Sequence, residues 1–308
     1  MPKARGTLHN ALMNVWDVAQ IRDLLMEAGR IALSYFESTT SEHKSDYSLV
    51  TPADHAVEEY LRGHLVNDGS ILIGEESAEG WSQAGIDEAL AGTTWVVDPI
   101  DGTAPYANHL PTWGISLGLM QRGTLVEGAL FLPRTGEMFI TSGEDVLFHR
   151  GARNPEYWAF EKLAPLPREA RTYRSSGMIS LPQEVVHSGY FSGRNPIQSN
   201  GSAVYSVAKL IRGSYICYVA RIKLWDLAGA LPILHRLGHR AIFEDGRQLS
   251  LAVNAENWVL DAADPRLWKS TGLVFVAADD ETVRYMQEHY TSGRRPPPTS
   301  NSGSLGSP

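Results

Sequence analysis

Apolar residues recur at helical spacing near the start of the chain. Over residues 15–36 they return every three or four positions, which predicts an amphipathic helix. A second helix is predicted to begin at Thr51, because Thr is a good N-cap residue and Pro52 fits a first helical turn. The apolar stripe of this helix consists of Val57, Tyr60, Leu61 and Leu65. The chain is therefore expected to open with two helices, each with one buried face.

The pattern then changes to short apolar runs, which are typical of strands. Residues 71–73 and 95–97 form two such runs, and acidic residues follow both of them. Three more runs, at 113–120, 124–132 and 137–141, are separated by short turn sequences that contain Gly. This arrangement predicts an antiparallel meander.

The second half of the chain mixes the two patterns. Residues 142–200 are rich in Pro, Arg and Ser and predict few elements, whereas the following residues predict alternating helices and strands. The predicted helices are 203–211, 226–237 and 279–289, and the predicted strands are 214–220, 240–243 and 272–277. In the last segment, 292–308, twelve of 17 residues are Ser, Gly or Pro, which predicts a disordered tail.

These patterns divide the chain into four parts. We predict an N-terminal extension at 1–14, and then a half at 15–150 that combines the helix pair with the antiparallel sheet. An α/β half at 151–291 and the tail at 292–308 complete the chain.

Composition and charge narrow the classes of protein that the chain can represent. Its 308 residues carry 27 Lys and Arg against 35 Asp and Glu, a net charge of −8, which argues against nonspecific nucleic-acid binding. Anionic substrates remain compatible with this charge, because clustered carboxylates can hold divalent cations that attract phosphate. No apolar stretch is long enough for a membrane span, and a single cysteine, Cys217, excludes an internal disulfide framework. We therefore expect a cytoplasmic protein without membrane partners.

Acidic residues at the ends of apolar runs are the first candidates for chemistry. Taken singly, each is explained by a helix start or a polar turn. Taken together, carboxylates from several separate segments are what a multi-metal site needs, since Mg²⁺ prefers hard oxygen ligands and two such ions can hold a phosphoryl group and activate a water. These residues are Asp54, Glu75, Glu76, Asp98, Asp101 and Asp226.

The segment Asp98-Pro99-Ile100-Asp101-Gly102-Thr103 is the most specific of these features. It follows a predicted buried strand and carries two aspartates. Gly102 allows a ligand to approach the backbone closely. Thr103 offers a hydroxyl and an amide N–H, which suit a phosphate oxygen or a nucleophilic water.

Six short segments together form a family pattern. They are LVTPAD at 49–54, GEES at 74–77, WVVDPIDGT at 95–103, GEMF at 136–139, GSA at 201–203 and WDLAGA at 225–230. In their order and spacing, from about residue 15 to 290, they resemble the inositol monophosphatase superfamily of Mg²⁺-dependent, Li⁺-sensitive phosphatases. The resemblance implies a layered α-β-α-β-α sandwich with the active site between its two halves.

The resemblance also implies a role for each matching residue. Two or three Mg²⁺ ions would be bound by Glu75, Asp98, Asp101 and Asp226, together with the backbone carbonyl of Ile100. The implied reaction is in-line attack of a metal-activated water on the phosphate monoester of a small metabolite. Its catalytic residues would be Asp54, Thr103 and Glu75. The implied phosphate and substrate contacts are Gly102, Thr103, Gly201, Ser202, Ala203 and Asp226.

One departure from the family pattern concerns the substrate. Inositol-specific members carry a Glu seven residues before the Asp of the Trp-Asp motif, and Val219 stands at that position here. On the same predicted strand, Arg221 and Lys223 alternate with Val219 and are expected to share its face, where they could meet a second anionic group or remain solvated. Lys44 could likewise help to order a metal ion or phosphate, or be an exposed loop residue.

The sequence leaves several functions open. Inositol phosphate, histidinol phosphate, fructose 1,6-bisphosphate and adenosine 3′,5′-bisphosphate are the candidate substrates. A catalytically weak, metal-dependent binding or regulatory protein is the alternative of another class, although the intact acidic residues count against it. A homodimer is compatible with the resemblance.

Overall fold

The structure is a computed structural model that describes residues 15–38, 40–44, 49–67, 69–151, 159–165, 177–181, 186 and 189–292. The predicted extension at 1–14 and all of the predicted tail except Ser292 lie outside these residues. The described residues form two main sheets with helices around and between them.

Eight helices belong to the described part of the chain. They are α1 (Val18–Phe36), α2 (Pro52–Leu65), α3 (Gln83–Ala91), α4 (Thr103–Ala107), α5 (Ala203–Ile211), α6 (Leu224–Ala228), α7 (Ala230–Arg236) and α8 (Asp280–His289). The two N-terminal helices and the helix at 203–211 are confirmed. The sequence did not predict α3, in which only Ile86 and Ala89 are buried, because two apolar positions are too few to reveal a helical period.

The strands form one large sheet, one smaller sheet and two short pairs. In chain order, they are β1 (Glu42–His43), β2 (Leu49–Val50), β3 (Ser70–Gly74), β4 (Thr93–Asp101), β5 (Gly114–Gln121), β6 (Thr124–Leu132), β7 (Glu137–Ser142), β8 (Asp145–Arg150), β9 (Glu161–Lys162), β10 (Met178–Ser180), β11 (Gly189–Phe191), β12 (Ile197–Gln198), β13 (Tyr215–Ala220), β14 (Arg240–Phe243), β15 (Val274–Ala277) and β16 (Tyr290–Ser292). The seven-stranded sheet has the order β3-β4-β5-β6-β7-β8-β9, and all of its neighbours are antiparallel except β3 and β4. The five-stranded sheet has the order β12-β10-β13-β15-β14. The predicted meander is therefore confirmed as β5-β6-β7.

The layers follow from alternation of apolar residues along the strands. On β4, Trp95 and Val97 pack with α1 and α2, whereas Val96 points to the opposite face, where α5, α6 and α7 lie. These three helices also pack against the five-stranded sheet, and α8 covers the far face of that sheet. The resulting order of layers is α-β-α-β-α, as the family resemblance implied.

The predicted helix at 226–237 is wrong in its extent. It begins earlier, at Leu224, and is divided into α6 and α7 at Gly229. At this point the chain touches the backbone of the large sheet: a Cβ on Gly229 would lie 2.5 Å from the carbonyl oxygen of Ala129, and one on Gly128 would lie 2.1 Å from that of Gly229. Two facing glycines thus permit a contact that no other residue pair would allow, and the helix period alone does not reveal it.

In the part of the chain that the structure describes, none of the helices combines the length and apolarity needed to cross a membrane.

Candidate active site

Three aspartates from both halves of the fold meet at one point. Asp98 and Asp101 lie at the end of β4, and Asp226 lies in the first turn of α6. Each offers one carboxylate oxygen, and these oxygens lie within 4.8 Å of one another. Asp98 is 1% exposed and Asp101 is 6% exposed, whereas Asp226 is partly exposed, so this aspartate cluster lies at the edge of the interior.

The end of β4 is irregular, which places its two aspartates on the same side. The pairing of β4 with β5 shifts in register between Asp98 and Asp101. Within this irregular segment, the amide of Ile100 donates to Oδ1 of Asp98 at 3.1 Å. A regular strand would point residues separated by three positions to opposite faces, so the shift is needed to bring them together.

The start of α5 holds Asp101 in place. The amides of Ala203 and Val204 donate to its two oxygens at 3.1 and 2.6 Å, and the hydroxyl of Ser202 donates to the same carboxylate. Amide groups at a helix N-terminus are otherwise unpaired and carry partial positive charge, so they stabilise a carboxylate. Ser202 and Ala203, which the resemblance implied as substrate contacts, therefore bind a candidate metal ligand in this structure.

Asp226 is fixed by its own helix. Its Oδ2 accepts from the amide of Lys223, the residue before α6, at 2.8 Å. This hydrogen bond fixes the carboxylate that contributes one oxygen to the group formed with Asp98 and Asp101.

A fourth aspartate, Asp54, lies beside Thr103. The amide and hydroxyl of Thr51 donate to Oδ2 of Asp54 at 2.8 and 2.6 Å. The hydroxyl of Thr103 lies 3.3 Å from Oδ1 of Asp54 and 3.2 Å from the carbonyl oxygen of Ile100. The structure thus brings together the three positions that the resemblance linked to the nucleophilic water and to the metal.

Glu75 lies between two lysines from opposite halves of the fold. Its Oε1 is 3.6 Å from Nζ of Lys44 and 3.6 Å from Nζ of Lys223. Lys44 also donates to Oε1 of the neighbouring Glu76 at 2.7 Å. Lys44 is therefore not an exposed loop residue, since its side chain is 18% exposed and ion-paired.

Burial and mutual repulsion raise the pKa values of these acids. Burial raises the pKa of Asp54 to about 7, although Thr51 opposes the shift. Burial raises that of Asp101 to about 6 against the hydrogen bonds from α5, and burial with the nearby Asp101 raises that of Asp226 to about 8. The pKa of Asp98 is raised well above its usual range by burial, Glu75 and both other aspartates.

The donor set fits a hard divalent cation. Buried carboxylates that repel one another become favourable when a cation neutralises them, and Mg²⁺ prefers such oxygen ligands. The same residues disfavour an unassisted approach of a phosphate dianion. The chemistry that the arrangement supports is therefore cation binding followed by anion binding.

Two glycines shape the wall next to the aspartate cluster. Gly102 has a φ of +94° and Gly201 a φ of +78°, both in the left-handed region that favours glycine. A Cβ on Gly102 would lie 2.9 Å from Cβ of Ser202 and 3.2 Å from the carbonyl oxygen of Gly201. The two segments that the resemblance assigned to phosphate and substrate are therefore in contact across the halves.

The expectation that Val219, Arg221 and Lys223 share one face is wrong. Val219 is fully buried in the cluster between the five-stranded sheet and α8. β13 ends at Ala220, and Arg221 pairs at 3.9 Å with Glu244 while Lys223 reaches Glu75. The alternation of period two ends with the strand, so it cannot be extended to residues 221–223.

Sequence reasoning missed Glu58, a buried carboxylate in contact with the segment around Glu75. It lies four residues after Asp54 on α2 and accepts from the amide of Glu76 at 2.9 Å. The available signal was the spacing of four, which places both acids on the same face of the helix.

Fold and site together define a layered α/β protein with a buried acidic centre suited to cations. The sequence of residues 15–287 matches the inositol monophosphatase family, and the chain therefore belongs to that family.

Relatives and solved structures agree with this assignment. The chain is 27% identical to the inositol-1-monophosphatase of Bacillus subtilis, over 80% of this chain and 91% of the relative. It is 31% identical to the histidinol-phosphatase of Chlorobaculum parvum, over 75% of this chain and 87% of the relative. A solved IMPase/NADP phosphatase, complexed with Mg²⁺ and phosphate, shares the fold with a TM-score of 0.65 at 15% identity, over 88% of this chain and 93% of that one.

Proposed function

We propose that this chain is a Mg²⁺-dependent phosphatase that hydrolyses phosphate monoesters of small metabolites. The observation that carries the proposal is the aspartate cluster of Asp98, Asp101 and Asp226, whose ligand oxygens lie within 4.8 Å of one another. The similarity to an inositol-1-monophosphatase and a histidinol-phosphatase supports the same reaction class.

The proposed metal site uses residues from both halves. Glu75, the three aspartates and the carbonyl of Ile100 would hold two or three Mg²⁺ ions. When bound, these ions would offset the negative charge of the phosphate and make a water molecule more acidic. The complex of a structurally similar protein with Mg²⁺ and phosphate supports this ion type.

Asp54 and Thr103 are proposed to orient the attacking water. Because the Thr103 hydroxyl donates its proton toward Asp54 and Ile100, its oxygen can accept a hydrogen bond from water. Asp54, held by Thr51 and directed at the same point, can take up the proton. The amides of Gly102 and Thr103 would hold the phosphate, and Gly201 would border the substrate together with Ser202 and Ala203.

The choice of ester is proposed to depend on cations at the rim of the site. Lys44 and Lys223 lie beside Glu75, where their positive charges would attract a second phosphate or a carboxylate on the substrate. Arg221 is the third of these cations, and its side chain, which is 47% exposed, is accessible from solvent. Since Val219 replaces the inositol-contacting Glu and lies in the core, we favour an ester that carries a second anionic group over inositol phosphate.

Assembly, location and inhibition complete the proposal. We infer a homodimer in the cytoplasm, inhibited by Li⁺, that acts without nucleic-acid or membrane partners. The net charge of −8 supports the absence of nucleic acid, and the single cysteine supports a reducing compartment. Light scattering of the purified protein would test the dimer.

The experiment that tests the function is a measurement of phosphate release from a panel of esters. The panel contains inositol 1-phosphate, histidinol phosphate, fructose 1,6-bisphosphate and adenosine 3′,5′-bisphosphate, each with Mg²⁺, without Mg²⁺ and with added Li⁺. We expect release that requires Mg²⁺ and decreases with Li⁺. If a folded protein binds Mg²⁺ but releases phosphate from none of the esters, a metal-dependent binding or regulatory protein replaces this proposal.

A further inference from the structure

Glu58 is a buried acid of α2 whose hydrogen bonds reach the segment around Glu75. The residue is only 5% exposed, and both of its carboxylate oxygens have donors. Oε2 accepts from the backbone amide of Glu76 at 2.9 Å, and Oε1 accepts from Nη2 of Arg62 at 3.0 Å. A carboxylate that receives a backbone N–H forms a strong, charge-assisted hydrogen bond.

These contacts act on the short segment 74–77, which we call the Glu75 turn. Arg62 also donates to Oγ of Ser77 at 2.6 Å, so α2 binds the turn at two points after Glu75. Glu75 itself is tied to the sheet, because its amide donates to the carbonyl oxygen of Val97 at 3.2 Å. The backbone that presents the Glu75 carboxylate is thus fixed between α2 and β4.

Gly74 explains how Glu58 reaches the turn. A Cβ at this position would lie only 2.2 to 2.7 Å from three atoms of the Glu58 carboxylate group. The absence of a side chain at Gly74 therefore creates the space that the carboxylate fills. Burial of a carboxylate is costly unless it is hydrogen-bonded, and here the hydrogen bonds are made to the turn that carries Glu75.

We propose that Glu58 is a positioning residue for metal binding: it holds the Glu75 turn so that the Glu75 carboxylate faces the aspartate cluster. This inference rests on the proposed Mg²⁺ site. Glu58 itself touches neither the substrate nor the cluster. Its effect passes through the backbone of Glu76, in the way that groups behind a ligand commonly tune metal affinity.

Calorimetric titration of the substrate-free protein with MgCl₂ tests the inference. Glu58→Leu removes both acceptors and should weaken Mg²⁺ binding by about tenfold or more. Glu58→Gln keeps an oxygen that can accept from the Glu76 amide, so it should recover most of that loss. Glu59→Gln, at the exposed neighbouring position, should bind Mg²⁺ like the parent.

A second pair of variants separates positioning from simple loss of stability. Gly74→Ala displaces the flexible end of Glu58 and should weaken Mg²⁺ binding while the protein stays folded. Gly63→Ala is the control: Gly63 lies on α2, the helix of Glu58, with nothing within 4 Å of an added Cβ, so this variant should bind Mg²⁺ like the parent. Thermal unfolding without metal verifies that each variant is folded.

The outcomes distinguish this inference from the proposed function. If the parent hydrolyses esters and Glu58→Leu or Gly74→Ala binds Mg²⁺ with parental affinity, the positioning role is overturned and the phosphatase stands. If the variants lose affinity but the parent hydrolyses none of the esters, the positioning role stands and the phosphatase is overturned. A parent that binds no Mg²⁺ overturns both.

Discussion

Two buried acidic groups in this protein differ in how their charge is balanced. Around Glu137, at the start of β7, the carboxylate pairs with Lys209 of α5, accepts from Thr135 at 2.9 Å and lies 3.5 Å from Arg150. In the aspartate cluster, by contrast, the neighbours of each carboxylate include other carboxylates. Burial alone would raise the pKa of Glu137, but Lys209 lowers it below its usual value, whereas the pKa of Asp98 is raised.

The ion-paired Glu137 stabilises the fold, whereas the mutually repelling aspartates destabilise it when they are ionised and no cation is bound. The Glu137–Lys209 pair joins the large sheet to α5, the helix whose N-terminus holds Asp101. In the aspartate cluster, the hydrogen bonds to Asp101 and the charge of Lys223 near Asp226 do not outweigh burial and repulsion, and a bound cation would add the missing compensation. Substitutions that neutralise the two groups should therefore change stability in opposite directions.

The largest expected effect is the loss of activity in Asp98→Asn. An amide is a poorer ligand for Mg²⁺, so phosphate release should fall by at least about 10³-fold, or about 4 kcal/mol. The metal-free variant should be at least as stable as the parent, because one repelling charge is gone. Phosphate-release assays and urea unfolding measure the two effects. Asp87→Asn, at an exposed position of α3, is the control, and an equal loss of activity there would contradict the assignment.

Glu137→Gln should have the opposite effect: it should lower stability and leave activity nearly unchanged. Breaking a buried ion pair leaves Lys209 without its partner and should cost about 3 kcal/mol of unfolding free energy. At temperatures where the variant is folded, phosphate release at saturating Mg²⁺ should stay within a few-fold of the parent. Urea unfolding is the measurement and Glu144→Gln the exposed control. Unchanged stability would mean that the two acidic groups do not differ as described.

The pH dependence of the stability of the metal-free protein should also distinguish the site aspartates from Glu137. Asp101, Asp54 and Asp226 have folded-state pKa values of about 6, 7 and 8, all above the ordinary value of 3.8. Their contribution is fully present below pH 3.8 and is lost as the pH rises through 6 to 8. Metal-free protein should therefore become steadily less stable between pH 5 and pH 8, as these three carboxyl groups lose their protons in the folded state.

Added Mg²⁺ should remove this pH dependence, because the ion replaces the protons in the cluster. Thermal unfolding at a series of pH values, with about 10 mM Mg²⁺ and separately with a chelator, provides the comparison. At this concentration the ion is in large excess over the protein. A metal-free protein that grows more stable toward pH 8 would show that the aspartates are balanced in some other way.

The smallest effect concerns Lys223, which adds a positive charge next to Glu75. Lys223→Met should raise KM about fivefold for esters with a second anionic group, or about 1 kcal/mol, and leave KM for singly phosphorylated, otherwise neutral esters unchanged. Lys162→Met, at an exposed position with a side chain that is 66% exposed, is the control. An equal rise for both kinds of ester would assign Lys223 to the metal site instead.

Much of the site was predictable because its residues occupy the ends of elements with a clear apolar pattern. Asp54 follows a helix cap, and Asp98 and Asp101 follow a buried strand, so their neighbourhood could be inferred from the sequence. The spacing of four from Asp54 could have placed Glu58 on the same helix face, but it could not identify the partner of Glu58, because a hydrogen bond to a backbone amide 18 residues away leaves no mark on the sequence. Arg221 was placed on the face of Val219 wrongly, because the period-two alternation was extended past Ala220, where the predicted strand and β13 both end.

The sequence by itself determined the residue types that can bind a cation, the helix pair, the meander and the family. Periodicity and caps are local properties, so a single chain reveals them. Tertiary structure decided which acids are paired, which repel and which hold others in place. It also set the register shift that turns Asp98 and Asp101 to the same side and the start of α5 that receives Asp101. These outcomes depend on distances between segments far apart in the chain, and on burial, which changes the free energy of a charge by an amount that no local pattern encodes.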